Sequence, residues 1–207
     1  MTLDTWLLYL FAIVLIALSP GTMAILSMSH GIHFGKSRSL ATASGSVCSA
    51  LLLMCASAAG LGALLSAWEY GFSVLKYCGA AYLLYLGIKL LLTKAKDHKI
   101  SLSATGEGKP ALLFKQAFMV GISNPKDLLF FGALFPQFID MSQPQGPQLA
   151  ILAGTWALVD FSFVMIYACL ANILAPWLKS NQKLHWFDRI SGGLFIGLAA
   201  LLVTRHS

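Results

Sequence analysis

Three charged side chains stand in stretches of sequence that are otherwise apolar enough to cross a membrane. Lys126 and Asp127 follow Pro125 in the run GISNPKDLLFF, and Asp160 lies in GTWALVDFSF. A charge at the centre of a membrane helix costs about 2.5–3.5 kcal/mol, so such residues normally face a polar interior and serve binding or proton transfer. We therefore predict that Asp160 or Asp127 binds an ammonium group or carries a proton.

Two prolines stand at equivalent places in two of these stretches, in ALSPGTMAIL and in GISNPKDLLF. A proline inside a helix removes an amide donor and clashes with the carbonyl one turn earlier, so the helix breaks and frees backbone groups that hydrocarbon cannot satisfy. The positive end of the half-helix that follows attracts a carboxylate. The residues predicted to bind a substrate are Ser19, Pro20, Gly21, Thr22, Asn124, Pro125 and Lys126.

Two broken helices, one cation and two acids at one depth suit a small zwitterion. The helix ends and Lys126 would bind its carboxylate, and Asp160 or Asp127 would bind its ammonium group. A carboxyl group that takes up a proton could also couple transport to a proton gradient. Adjacent residues on a helix diverge by about 100°, so we expect Lys126 to form a salt bridge with Asp160 rather than with Asp127. A purely structural ion pair is the alternative.

The composition places these residues in an integral membrane protein, because 57% of the 207 residues are apolar and only 11% are charged. We expect the first apolar stretch to remain in the mature protein and not to be cleaved as a signal peptide, since MTLDTW lacks a basic segment. We predict an all-α membrane protein with six transmembrane helices, each long enough for the roughly 20 residues that a span needs. They cover about 5–29, 39–67, 70–93, 112–139, 147–177 and 186–204.

The basic residues predict the orientation of these helices. Of the 14 lysines and arginines, eleven lie in or beside the loops after spans one, three and five, whereas Lys76 and Arg205 lie on the opposite side and Lys126 on neither. Because basic loops stay in the cytoplasm, both termini are predicted to lie outside. The net charge of +6 is therefore explained by topology, and we expect the lipid bilayer rather than nucleic acid as the partner.

Three spans on either side of a polar segment predict an internal repeat. The segment TKAKDHKISLSATGEGKP contains few large apolar residues, so it is predicted to be a flexible cytoplasmic linker. With an odd number of spans in each half, the second copy enters the membrane from the other side. The prediction is two inverted three-helix repeats, 1–93 and 112–207, joined by a linker at 94–111, with the first and fourth helices broken.

The chain also resembles a known family along its whole length. MTLDTWLLYL, ALSPGT, GAAYLLYLGIKLL and ISNPKDLLFFGALFPQF are similar to the RhtB branch of the LysE superfamily of bacterial amino-acid exporters. The resemblance implies an inner-membrane exporter of neutral amino acids such as homoserine, threonine or leucine, driven by proton motive force. It implies no enzyme activity, catalytic residue, cofactor or resident metal. Thr22, where the family often has a second proline, and Asp127 depart from its common pattern.

Three other functions are alternatives to amino-acid export. Metal-ion efflux of the cadmium type could use His30 and His33, but their place at the cytoplasmic end of span one predicts surface histidines. A thiol-disulfide carrier would need cysteines beside the prolines, and neither ALSPGT nor ISNPKD contains one. Small residues at helical spacing in spans two and six would suit a membrane assembly protein, and they also allow a homodimer.

Overall fold

A computed structural model describes residues 1–19, 21–67 and 108–173, with eight further positions between 77 and 92 and eight between 189 and 200. The described residues are mainly helical, and no strand occurs among them. Pro20 lies outside the described residues. So do most of the predicted third and sixth spans and residues 94–107 of the predicted linker.

The first predicted span is broken near its middle. Helix α1 (Leu3–Leu18) ends at Ser19, and α2 (Thr22–Phe34) begins after Gly21. The two helix axes are bent by 58° relative to each other. The interruption falls where the proline motif predicts it, although Pro20 itself is not described.

The fourth predicted span is broken at the second proline motif. Helix α4 (Pro110–Ile122) stops before Asn124, and the short helix α5 (Pro125–Leu129) starts a new turn directly afterwards. Proline is favoured at the first helical position, because its missing amide hydrogen would have no partner there. The chain continues as a π-helical turn, Phe130–Leu134, and a 3-10 turn, Phe135–Phe138.

Two long helices complete the described part, α3 (Lys36–Ala67) and α6 (Gln145–Cys169). Gly35, with a positive φ of 80°, makes the sharp turn between α2 and α3, a conformation that favours glycine. In the described ranges α6 and the part of α3 from Lys36 to Gly60 are long and apolar enough to cross a membrane. The bent α1 and α2 pair would be a third span. The six-span inverted repeat stays a prediction.

The two broken spans run antiparallel with their breaks side by side. Tyr9, before the first break, packs on Phe138, after the second, with ring centroids 5.2 Å apart. His30, after the first break, forms a 3.1 Å hydrogen bond with Gln116, before the second. This is the mutual orientation that an inverted repeat requires of its first and fourth spans.

Helices α1 and α6 run parallel to each other. The indole nitrogen of Trp6 donates to the hydroxyl oxygen of Thr155 at 3.1 Å, and further along both helices the hydroxyl of Tyr167 donates to the carbonyl oxygen of Leu18 at 3.0 Å. Two membrane-spanning helices point in the same direction when their positions in the order of spans differ by an even number. The predicted first and fifth spans meet that condition.

Glycines bring α3 and α4 into backbone contact. A Cβ atom at Gly45 would collide with the carbonyl oxygen of Phe114, and one at Gly121 would collide with the hydroxyl of Ser49. Such close approach increases the dispersion contacts that hold membrane helices together, because lipid supplies no hydrophobic drive for helix pairing. The two helices therefore form a tightly packed wall beside the breaks.

Aromatic rings fill the space on the other side of the breaks. Tyr9, Phe130, Phe131, Phe135 and Phe138 are each at most 2% exposed. Offset and edge-on ring contacts of this kind stabilise beyond the area that they bury. The ring cluster fixes α1 against the π-helical and 3-10 turns that follow α5.

Candidate functional site

A cavity lies where the first break, the start of α5 and the middle of α6 meet. It contains about 500 Å³ of space that no atom fills, its open mouth included. The cavity is lined by Ile13, Ile16, Ala17, Ser19, Gly21, Met23, Ala24, Lys126, Asp127, Trp156, Val159, Asp160, Phe163, Val164 and Tyr167.

Lys126 reaches from the second break to the first. Its ammonium group donates to the carbonyl oxygen of Ile16 at 2.5 Å and to that of Ser19 at 3.0 Å. Both oxygens belong to the negative end of α1, where a cation is favourable. The expected salt bridge to Asp160 is therefore wrong as a direct hydrogen-bonded contact, although Asp160 and Asp127 are close enough to attract the ammonium group electrostatically.

Tyr167 satisfies the remaining carbonyl groups at the end of α1. Its hydroxyl lies 3.0 Å from the carbonyl oxygens of both Ala17 and Leu18 and donates to them in a shared hydrogen bond. Unpaired carbonyls are costly away from water, and a broken membrane helix must find partners for them inside the protein. The end of α1 is thus closed by side chains from two other segments.

The start of α2 is open by comparison. Gly21 occupies the capping position, and no side chain among the described residues caps the helix. The first intrahelical bond runs from the amide of Ile25 to the carbonyl of Gly21, so the amides of the three residues between them remain as donors. Two of those residues, Met23 and Ala24, line the cavity with Gly21. The positive end of α2 therefore borders the cavity.

Lys126 adds a full charge beside this helix end. A Cβ atom built on Gly21 would lie 3.8 Å from the Lys126 ammonium nitrogen. A helix start and a cation this close together both favour an anion. This side of the cavity suits a carboxylate.

Asn124 organises the second break from its own side chain. Its amide oxygen accepts a hydrogen bond from the backbone nitrogen of Lys126 at 3.1 Å, which caps α5. Its amide nitrogen donates to a carboxylate oxygen of Asp127 at 2.8 Å. One buried side chain thus fixes the segment that carries both charges.

Asp160 provides an acceptor without a complete set of partners. Its Oδ2 is buried and has no hydrogen-bond partner in the described part of the chain, and Ser46 on α3 lies near the carboxylate. A buried carboxylate oxygen is normally paired, because leaving it unpaired is costly. The unpaired oxygen is available for an ammonium group or a proton.

Five of the nine predicted site residues line the cavity: Ser19, Gly21, Lys126, Asp127 and Asp160. Asn124 is 7% exposed and acts behind them as the cap of α5. Thr22 is the first residue of α2, but its side chain is exposed and does not line the cavity. Pro125 begins α5, and Pro20 lies outside the described residues.

Part of the site lies on α6 at residues that the sequence did not predict. Trp156, Phe163 and Tyr167 line the cavity with Asp160, at positions four before and three and seven after it. This spacing follows the helical period, which places all four on one face. The three residues could have been found by taking the positions that share a helix face with Asp160. Ser46 lies in a different span, so helical spacing does not relate it to Asp160.

The predicted exposure is wrong for one of the two histidines. His33 is exposed, as expected, but His30 is only 2% exposed, so the prediction of a surface residue is wrong for it. Its Nδ1 lies 2.7 Å from the hydroxyl of Thr42 and its Nε2 lies 3.1 Å from the amide oxygen of Gln116. Within the described residues, no group of three histidine, cysteine or acidic side chains could hold a metal ion.

Comparisons with known proteins show similarity along nearly the whole chain. The family profile described as LysE type translocator matches residues 14–206. The homoserine/homoserine lactone efflux protein of Salmonella typhimurium is 36% identical over 209 residues, covering 100% of both chains. Its counterpart from Salmonella typhi is also 36% identical, with the same coverage. An uncharacterized membrane protein of Vibrio cholerae is 32% identical over 99% of this chain and 98% of its own. No solved structure matches.

Proposed function

Because the chain belongs to the LysE-type translocator family, and is therefore a membrane transporter rather than an enzyme, we propose that it exports neutral amino acids or close derivatives across the bacterial inner membrane. Homoserine, threonine and leucine-like compounds are the candidate substrates. Two full-length relatives are named as efflux proteins for homoserine and its lactone, which supports this substrate class.

One observation carries the proposal: the cavity joins an anion-binding end to an unpaired carboxylate oxygen. The start of α2 and the ammonium group of Lys126 attract a carboxylate. Oδ2 of Asp160 accepts from an ammonium group, and Asp127 adds a second negative charge nearby. An amino acid at neutral pH carries both complementary charges and can satisfy both ends at once.

The remaining walls favour an uncharged side chain. Ile13, Val159, Phe163 and Val164 present apolar surface to the cavity. Burying a second charge against such surface is unfavourable without a partner for it. The cavity therefore suits a neutral amino acid better than a basic or acidic one.

Proton coupling follows from the same carboxylate. An ammonium group and a proton compete for Oδ2 of Asp160, so protonation weakens binding of the amino acid and release of the proton strengthens it. Alternate exposure of such a group to the two sides of the membrane gives antiport. Exit to the outside would then be linked to proton entry, with both termini of the chain on the outer, periplasmic side of the membrane. No homodimer is needed for this mechanism.

The test is export of a panel of labelled amino acids, with cadmium included, from vesicles that contain the full chain. Asp160→Asn keeps the shape of the side chain but cannot ionise, so we expect export to fall to background at normal membrane abundance. Asp140→Asn is the matched control, because Asp140 lies in the loop before α6 and outside the cavity. It should keep export.

Three results would contradict the proposal. Cadmium export without amino-acid export would favour a metal transporter, and export of no compound would favour an assembly protein. Restored export in Lys126→Met with Asp160→Asn, when each single change is inactive, would show that the two charges serve only to balance each other. Continued inactivity of that double variant, with export expressed per amount of protein in the membrane, supports a direct role in binding.

A further inference from the structure

Trp156 presents a second unpaired polar group at the cavity. Its side chain is 5% exposed and belongs to the cavity lining, and its indole nitrogen is buried without a hydrogen-bond partner among the described residues. Buried tryptophan nitrogens usually find an acceptor, because the lost hydrogen bond to water is not otherwise replaced. An unpaired donor beside a cavity therefore indicates that an acceptor enters from the cavity.

Among the described residues, the surroundings of the ring are aromatic. The Trp156 ring lies against Phe130 and Phe131, with centroid distances of 5.0 and 4.5 Å. These two side chains hold the indole in place and carry no hydrogen-bond acceptor. The indole of Trp6, by contrast, donates to the hydroxyl of Thr155 at 3.1 Å. Of the two tryptophans among the described residues, only the one at the cavity has an unpaired indole nitrogen.

The two unpaired groups of the cavity stand on the same helix one turn apart. Trp156 and Asp160 are four residues apart on α6, which places their side chains on one face with Cβ atoms about 5–6 Å apart. One is a donor and the other an acceptor. In a small amino acid the α-ammonium group and a side-chain oxygen are separated by only a few bonds, so one ligand can reach both.

We propose that the indole N–H of Trp156 donates a hydrogen bond to an oxygen atom in the side chain of the substrate. The inference rests on the proposed function, and it narrows the substrate class. The preferred substrates carry a hydroxyl, ether or ester oxygen on the side chain, and amino acids with hydrocarbon side chains of the same shape bind more weakly. A site built to pair with an oxygen discriminates against the analogue without it, because the protein donor is then left unpaired.

The first experiment compares matched ligands on the unaltered, full-length protein purified in detergent. Homoserine and norvaline differ by a hydroxyl in place of a methyl group. O-methylhomoserine and norleucine differ by an ether oxygen, which only accepts, in place of a methylene group. We expect the oxygen-containing member of each pair to bind about tenfold more tightly, the effect of one neutral hydrogen bond. Equal affinities within both pairs would overturn the inference, because an ordered water would then suffice as the partner of the indole.

The second experiment removes the donor and keeps the ring. Trp156→Phe should reduce the affinity ratio of both pairs to near one, whereas Trp6→Phe, outside the cavity, should leave the ratios unchanged. Persistence of the tenfold ratio in folded Trp156→Phe would also overturn the inference. If that variant does not accumulate, the ligand pairs on the unaltered protein decide the question. Failure of all four amino acids to bind would instead contradict the proposed function itself.

Discussion

The two breaks begin with similar sequence, a small polar residue followed by a proline, but they are completed in different ways. At the second break Asn124 caps the new helix with its own side chain and also contacts Asp127. At the first break Gly21 has no side chain to offer, and the start of α2 opens onto the cavity. A break whose backbone amides are capped by the protein's own side chain holds residues in place. A break whose amides are uncapped leaves those amides available to a ligand.

The difference assigns distinct tasks to the two halves of the site. The second break supplies the side chains of Lys126 and Asp127 on a short, capped helix. The first break supplies backbone groups: carbonyls at the end of α1, which Lys126 and Tyr167 occupy, and amides at the start of α2, which no side chain caps in the described structure. Similar motifs thus produce a capped helix start on one side and an uncapped helix start on the other, which the proposed function assigns to an anion.

The largest loss of export is expected from a change at Lys126, whose side chain joins the two breaks. Lys126→Met keeps the length of the side chain but removes its charge and its donors. Two carbonyl groups of α1 then lose their partner, at about 1–3 kcal/mol each, and two acids lose their compensating charge. We expect undetectable export and a large loss of thermal stability of the purified protein. Lys126→Arg keeps the charge and should be more abundant than Lys126→Met. Normal export by Lys126→Met would show that the junction is dispensable.

A smaller loss of function is expected when an asparagine, the residue that caps the second break, is introduced at Gly21 in the first break. Gly21→Asn places an amide oxygen next to the free amides of α2, where it competes with the carboxylate of the substrate. The backbone of Gly21 is extended, with φ of −119°, and the position of a Cβ is in ordinary contact distance of its neighbour. We therefore expect unchanged or slightly higher stability, but about tenfold weaker substrate binding, the equivalent of about 1.4 kcal/mol.

Two controls separate capping from bulk in this experiment. Gly21→Ala adds the Cβ atom without an acceptor, so it should bind substrate better than Gly21→Asn does. Asn124→Ala removes a cap that the protein already has, and we expect it to lose about 0.5–2 kcal/mol of unfolding free energy. The two asparagine changes should therefore have different effects on the thermal midpoint. Equal destabilisation by both would contradict the distinction between the breaks.

The smallest loss of function is expected from a change at the end of α1. Tyr167→Phe leaves the carbonyl groups of Ala17 and Leu18 without their shared donor, which should cost about 1–3 kcal/mol of stability and lower export several-fold by displacing the cavity wall. Tyr9→Phe is the matched control, because its hydroxyl donates to Leu152 away from the break. It should reduce stability but not the export per amount of folded protein. A loss of export in Tyr9→Phe equal to that in Tyr167→Phe would contradict the special role of the first break.

The sequence alone was enough to locate both interruptions and the three charged residues. Proline breaks helices by a local effect that needs no knowledge of the fold, and a charge in an apolar stretch is conspicuous for the same reason. Lys126, Asp127 and Asp160 line one cavity, and their roles in binding and proton transfer stay predictions.

The partners of these residues could not be predicted in the same way. Whether Lys126 contacts Asp160 or the carbonyls of α1 depends on the relative height of two spans far apart in sequence. Trp156 and Tyr167 belong to residue types that are common in membrane helices, so only the helical period relates them to Asp160. The burial of His30 depends on Thr42 and Gln116, which approach it from other helices.

The partners that close the first break have a consequence for the synthesis of the protein. Lys126 follows Ser19 by 107 residues, and Tyr167 follows Ala17 by 150. At a translation rate of about 5–20 residues per second, the end of α1 is made roughly 5–30 s before the side chains that satisfy its carbonyl groups. During that interval water or the insertion machinery must supply hydrogen-bond donors to those carbonyl groups. The first span completes its native hydrogen bonding only after the second half of the chain has been made.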